Sequence, residues 1–320
     1  MNVLMAVVRT IFAGFATLVF ATTAGISAFA SDLRVVSSIR PVHSLVASVM
    51  RGVGKPALLI SGTQSPHSLS LKPSQARMLQ KADMVFWVGP ELEGFLDKSL
   101  GAIAPEAQSV VLAASPGLSK IKGSDQHDDH DHEEGDHEGH DDETVKPEDA
   151  FDPHIWLDPD NAIVMVRHIA QRLAEQDEKN SQKYTANADE TIERLKQLGN
   201  EINVQVAPVR DQPYMVFHQA YGYFENRFGL QNAGILSPNP LGGPSAKRLQ
   251  KLAQEVRSSG VRCVFSEPQI QPQAWDAIAD DNGLRIDTLD PIGLEVTPGP
   301  ELYFELNRNL ADTMTGCLER

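Results

Sequence analysis

The chain is poor in four things, and each shortage removes a class of function. It has only two cysteines, Cys263 and Cys317, with no C-x-x-C pair, so cysteine does not build a metal or dithiol centre here. After the first thirty residues no segment approaches 18 consecutive apolar residues, which excludes a membrane span in the body of the protein. Basic charge is scarce: 28 Lys and Arg stand against 43 Asp and Glu, for a net charge of −15, so nothing argues electrostatically for nucleic acid as a partner. H-E-x-x-H, G-x-S-x-G and a phosphate-binding loop are all missing. The chain is therefore read as a binding protein and not an enzyme. A zinc hydrolase is the enzyme alternative; Asp290 or Glu267 could be nominated as its general base, but none of these motifs supports it.

The N-terminus differs from the rest. Arg9 is the only charge among the first thirty residues, an apolar run covers 11–20, and small residues lead to Ala28-Phe29-Ala30. Thr22, Thr23, Gly25 and Ser27 keep the apolar stretch too short to span a bilayer. The expectation is a signal peptide over 1–30, cleaved before Ser31, and an exported, periplasmic protein with no lipid-anchoring cysteine at the cleavage site. In that compartment an even pair of cysteines reads as a disulfide, Cys263 to Cys317, fastening the C-terminus to the second half of the chain.

What the chain has in excess is concentrated. Residues 124–143 hold five histidines (His127, His130, His132, His137 and His140) and eleven carboxylates, with no hydrophobic residue among them. These are the ligand types of divalent metals, zinc above all, in a segment with nothing to build a core. The segment is read as a disordered insertion over about 121–150 and as an accessory metal-collecting loop. The 300 residues outside the cluster carry a net charge of only −4.

Around the insertion, short β-rich runs alternate with amphipathic helical segments, the pattern of an α/β protein with parallel sheets. In the first half, strands are expected over 33–39, 57–60, 84–88 and 110–113, and helices over 42–50 and 73–81. Asp158 with Pro159 marks a helix start. Over 181–207, Tyr184, Ala188, Ile192, Leu195, Leu198, Ile202 and Val206 recur at steps of three and four. This stretch is read as one long rigid connector helix and not a core element, with an N-terminal lobe over 31–180 and a C-terminal lobe over 208–320. In the second half, strands are expected over 214–217, 233–236, 262–265 and 285–289, and helices over 221–228, 245–258 and 273–281. The halves share a layout but no matching residues.

Three histidines outside the insertion fall at strand edges. His67 follows the strand at 57–60, His154 lies in Asp152-Pro153-His154-Ile155-Trp156, and His218 ends the strand at 214–217. Asp290 ends the strand at 285–289. Ligands of open α/β sheets bind outside the carboxyl ends of strands, where these four converge if the lobes face each other. Three imidazoles and one carboxylate suit tetrahedral zinc. Asp152, Asp158 or Glu267 are placed to balance charge around it. His43 and His168 read as structural or surface residues.

The pieces SPHSLSLKPSQARMLQKADMVFWVGPELEGFL (65–96), DPHIWLDP (152–159), YMVFHQAYGYFENRFGL (214–230), CVFSEPQ (263–269) and TLDPIG (288–293), taken with the histidine-rich insertion, carry a resemblance. In order and over nearly the whole mature chain they resemble the zinc-binding, ZnuA-like branch of the cluster A-I solute-binding proteins of ABC importers. The resemblance implies two α/β lobes joined by a stiff helix, with one Zn2+ held between them by His67, His154 and His218. The family's acidic position falls on Asp290, or else water completes the set. It implies delivery to an inner-membrane ABC permease by a monomer, with zinc as cargo. Manganese-binding relatives typically carry Glu where His218 stands, and manganese or another divalent ion is the alternative cargo. Many zinc-type members have Glu immediately before the first histidine, where this chain has Pro66.

Overall fold

The computed structural model describes residues 32–123, 151–236, 254–256, 258–268 and 283–319. The signal-peptide region, residues 124–150 of the expected insertion and the helix expected over 273–281 lie outside them. So does most of the helix expected over 245–258, of which 254–256 and 258 are described and helical. Residues 121–123, expected to be disordered, are placed, with Lys122 bridging to Phe151.

Among the described residues two four-stranded parallel sheets organise the chain. The first contains β1 (Val35–Ser37), β2 (Ala57–Leu58), β3 (Met84–Trp87) and β4 (Gln108–Val111), in the order β2-β1-β3-β4. The second contains β5 (Tyr214–Val216), β6 (Asn232–Ile235), β7 (Cys263–Ser266) and β8 (Arg285–Thr288), in the order β6-β5-β7-β8. The two orders are the same topology, which is the shared layout legible in the sequence. In each sheet the order reverses at the first strand, β1 or β5. That creates a crevice at the carboxyl ends where the flanking loops part.

Local sequence accounts for these elements. The run Met84-Val85-Phe86-Trp87 is buried throughout, as a strand covered on both faces must be. In the second sheet the two-residue period sorts side chains between two cores. Tyr214, Val216, Cys263 and Phe265 join the main core, whereas Met215, Phe217 and Val264 pack in a smaller cluster with Leu236, Val256 and Val261.

The α-helices lying wholly within the described residues are α1 (Arg40–Val49), α2 (Pro73–Gln80), α3 (Gly94–Ile103), α4 (Pro159–Gln176), α5 (Ser181–Gln205), α6 (Gly222–Phe228) and α7 (Leu302–Leu318). Helix α4 begins as its sequence dictates: the Asp158 carboxylate accepts the Asp160 N–H at 2.8 Å and Pro159 takes the first position. The long helix α5 is present, and it does more than connect. Tyr184, Ala188, Ile192, Leu195, Leu198 and Ile202 are buried along it, and it packs against α4, α1 and α7. The expectation of a connector standing apart from the core is corrected here, because an amphipathic helix with that apolar stripe gains by burying it.

Helix α7 closes the fold. It belongs to the second half by sequence yet packs on α1 and α5 as well as near β8. Cys317 near its end is bonded to Cys263 at the start of β7. Among the described residues no helix is long and apolar enough to cross a membrane.

Candidate metal centre

The centre lies at the carboxyl ends of the strands. His218 comes two residues after β5, where Phe217 still pairs its N–H with Phe265 O of β7 at 2.9 Å. Glu267 follows the end of β7 directly. The sheet therefore delivers both side chains to one edge, and Glu267 Oε1 makes a short hydrogen bond with His218 Nδ1. Both residues are buried. With Nδ1 engaged, Nε2 of His218 is buried without a hydrogen-bond partner among the described residues. A buried polar atom left unpaired costs free energy unless something else satisfies it.

His154 is oriented by its own neighbourhood. Asp152 Oδ1 lies 2.9 Å from the His154 backbone nitrogen and 2.7 Å from Nδ1 of its ring. The short turn Ile155–Leu157 then leads into α4, and the Trp156 ring meets the His154 ring edge-on at 5.3 Å. Gly222 lines this wall. A Cβ there would stand 2.8 Å from Ile121 Cδ1 and 3.0 Å from Asp152 Oδ2, pressing on the carboxylate that holds His154.

His67 arrives differently. It sits in the exposed loop between β2 and α2, where its backbone N–H reaches Ser65 Oγ at 3.3 Å. Although the residue is exposed, its ring faces inward and places Nε2 3.3 Å from Nε2 of His154. Desolvation in that position, reinforced by His154 and His218, pushes its imidazolium pKa down to about 3. The three ring centroids lie 5.3, 5.4 and 6.2 Å apart, and one nitrogen from each histidine falls within 4.8 Å of the others.

Asp290, the fourth residue expected from sequence, is not in this group. It stands at the end of β8, but its carboxylate folds back onto the amides of its own turn. Oδ1 accepts from Ile292 at 3.2 Å and from Gly293 at 2.9 Å, and Oδ2 accepts from Leu294. Burial raises its pKa and those amides oppose the rise. An aspartate followed by a tight turn satisfies its own backbone first.

Of the three acids named for charge balance, Asp152 and Glu267 touch the histidines. Asp158 instead caps α4 and lies 3.8 Å from Arg227. His43 is structural, with Nε2 3.2 Å from Pro56 O inside the first lobe. His168 is half-buried on α4. His127, His130, His132, His137 and His140 lie outside the described residues. Sequence reasoning gave no role to Gly222; its tolerance of the close approach of Asp152 is a signal only the fold supplies.

A cage of imidazole nitrogens, two of them fixed by carboxylates on the far side of the ring, is the donor set of a borderline-soft divalent cation. The sequence profile of the family described as "Zinc-uptake complex component A periplasmic" matches residues 35–317. The chain belongs to this family. The high-affinity zinc uptake system protein ZnuA of Brucella suis biovar 1 (strain 1330) is 38% identical over 306 residues, covering 89% of this chain and 92% of that protein. The ZnuA protein of Yersinia pestis is 35% identical over 292 residues, covering 89% and 91%. A crystal structure of ZnuA superposes with a TM-score of 0.75 at 22% identity over 90% of this chain and 100% of that one, which supports the two-lobed fold. Zinc is the ligand of the ZnuA family, and the three-histidine group lies inside the matched region.

Proposed function

We propose that this protein captures Zn2+ outside the cytoplasm at His67, His154 and His218 and delivers it to an ABC permease for import. The observation that carries the reading is the convergence of three imidazole nitrogens from three separate loops, with Asp152 and Glu267 fixing two of the rings. Three neutral imidazoles leave the ion its double positive charge, and the two carboxylates behind them offset it. Because Asp290 is held by backbone amides, we assign the fourth position to water, with Asp290 joining only if its turn lets go. Two donors stand on buried, preset walls and one on a surface loop, so capture and release run through His67.

The remaining parts follow from the sequence. Residues 1–30 serve as the export signal and 31–320 as the mature periplasmic protein, with lobes over 31–180 and 208–320 about the helix at 181–207. The histidines of 124–143 act as a weaker collector, since a segment that must be ordered on binding loses affinity to that ordering.

The test is zinc stoichiometry and affinity by chelator competition, with metal counted by elemental analysis. Replacing His67, His154 and His218 together should abolish the tight site, and deleting 124–143 should lower stoichiometry while one tight zinc remains. Tighter binding of Mn2+ than of Zn2+ by the metal-free protein would replace zinc as the cargo.

A further inference from the structure

Arg40 is the first residue of α1, at the carboxyl end of β1. Its guanidinium donates to three carbonyls from two distant parts of the chain. Nη2 reaches Ser61 O at 2.9 Å, while Nη1 reaches Val296 O at 3.0 Å and Gly293 O at 3.3 Å. Ser61 is where the chain leaves the first sheet, just after Ile60 pairs its N–H with Ser38 O, and it opens the loop that carries His67. Gly293 and Val296 belong to the turn that Asp290 gathers after β8.

That turn is specified in detail. Gly293 has φ +70°, and a Cβ there would stand 3.3 Å from Leu302 Cδ2 and Leu306 Cδ1, so any other residue would be strained in presenting its carbonyl this way. The same turn holds the other wall of the site: Pro291 O accepts the Trp156 indole N–H at 2.8 Å, and Trp156 packs edge-on against His154. One turn of the C-terminal half thus touches the frame of His154 through Trp156 and the root of the His67 loop through Arg40.

We propose that Arg40 is a positioning residue for metal binding. By tying the start of the His67 loop to the 290–296 turn, it sets how long the third imidazole stays over the other two. The planar guanidinium fork suits three carbonyls in fixed directions, which a lysine ammonium meets only in part. The inference rests on His67 being a zinc donor, and its test separates the two ideas.

The experiment measures zinc dissociation by stopped-flow chelator capture for wild type, Arg40→Gln, Arg40→Lys, His67→Ala and the Arg40→Gln/His67→Ala double variant. Arg40→Gln should release zinc about tenfold faster, the size of coupling between groups in contact, and Arg40→Lys should fall between it and wild type. In the His67→Ala background Arg40→Gln should change nothing further. An equal acceleration in that background would overturn the clamp, because Arg40 would then act on the fold at large. Unchanged dissociation in a folded Arg40→Gln protein would overturn it too, and Arg40→Lys carries the same comparison if the glutamine variant does not fold. Wild-type dissociation from His67→Ala alone would sink the site assignment itself.

Discussion

Asp152 Oδ1 serves both ends of His154 at once, 2.9 Å from its backbone nitrogen and 2.7 Å from its ring nitrogen Nδ1. A two-residue spacing makes this possible: the carboxylate closes a small turn and steers the ring by the same contact. Glu267 does the ring half of this for His218 from 49 residues away, brought there by the pairing of β5 with β7. Both fix the tautomer with the proton on Nδ1, leaving Nε2 as the donor.

Asp152→Asn and Glu267→Gln should each weaken zinc binding by roughly 10- to 100-fold, the range for partners behind metal-bound histidine. Chelator competition measures it. Wild-type affinity in both variants would remove the orienting role assigned to these carboxylates.

His67 should stay neutral in the zinc-free protein through the whole range in which an ordinary histidine titrates. Desolvation first, then His154 and His218, hold its pKa near 3 against an ordinary 6.5. The sign is fixed by the direction of the shift. Below 6.5 the unfolded chain takes up this proton and the folded protein does not, so His67 costs stability as pH falls from 6.5 towards 3. Nitrogen-15 NMR of the imidazole from pH 8 to 5 tests it, and a His67 midpoint near 6.5 would show that the ring does not lie where it is placed here.

Much of this was legible from residues alone, for physical reasons. A strand buried on both faces, such as Met84–Trp87, appears as an unbroken apolar run, and His67, His154 and His218 stood out because open parallel sheets put their loops at strand ends. Helix α3 was not read: Gly94 and Gly101 inside it lower its intrinsic helicity, and Leu96 and Leu100 are its only buried side chains. Helix α7 was not assigned, and nothing local says that its apolar face crosses to α1 and α5. The position of Asp290 at a strand end was correct, but the direction of its carboxylate depends on a turn whose amides compete for it. Pairings set by a sheet or a turn become visible only once the backbone is placed.

Two carboxyl groups away from the metal should give the protein a pH-dependent stability of their own. Burial raises Glu93, fully enclosed beside Gly89, and Glu225, bonded to Tyr214 and Asn232, each to about 7 from an ordinary 4.5. Between 4.5 and 7 the folded protein holds these protons and the unfolded chain does not, so their contribution falls as pH rises through that window. For Glu93 the full span is at most about 3 kcal/mol. Denaturant titrations of zinc-free protein at pH 5 and 7.5 should show a smaller difference for Glu93→Gln than for wild type, and smaller again with Glu225→Gln added. An unchanged difference in the double variant would refute the assignment.

Breaking the Cys263–Cys317 bond should cost stability and leave the metal site alone. The bond closes a loop of 54 residues in separation, worth roughly 4 kcal/mol in the chain-entropy account. Cys263 opens β7 while Glu267 follows its other end, so the bond and the histidine cage sit at opposite ends of one strand. A Cys263→Ser/Cys317→Ser protein should unfold at lower denaturant with wild-type zinc affinity; a tenfold loss of affinity would mean that the disulfide holds the site in place.

Zinc should enter and leave without a large change in the angle between the lobes. Helix α5 is bound to α7 along its length, through Arg194 to Glu301 at 3.0 Å, Glu201 to Arg308 at 2.9 Å and Gln205 to Asp312 at 2.6 Å, and to the start of the first lobe through Glu190 and Arg51. Exposed pairs of this kind are individually weak, but they flank the buried stripe of Leu195, Leu198 and Ile202, which bending would open to water. Ser44 and Ser48 on α1 add bonds to Pro300 O, and Tyr303 donates its hydroxyl proton to Trp156 O, so the halves are joined beside the site as well as behind it. Small-angle X-ray scattering of zinc-free and zinc-loaded protein should give superimposable profiles, with the change confined to faster amide exchange in the 61–72 loop when zinc is absent. A marked compaction on loading would mean that the lobes close as rigid bodies about a hinge, and α5 would not be the stiff element described here.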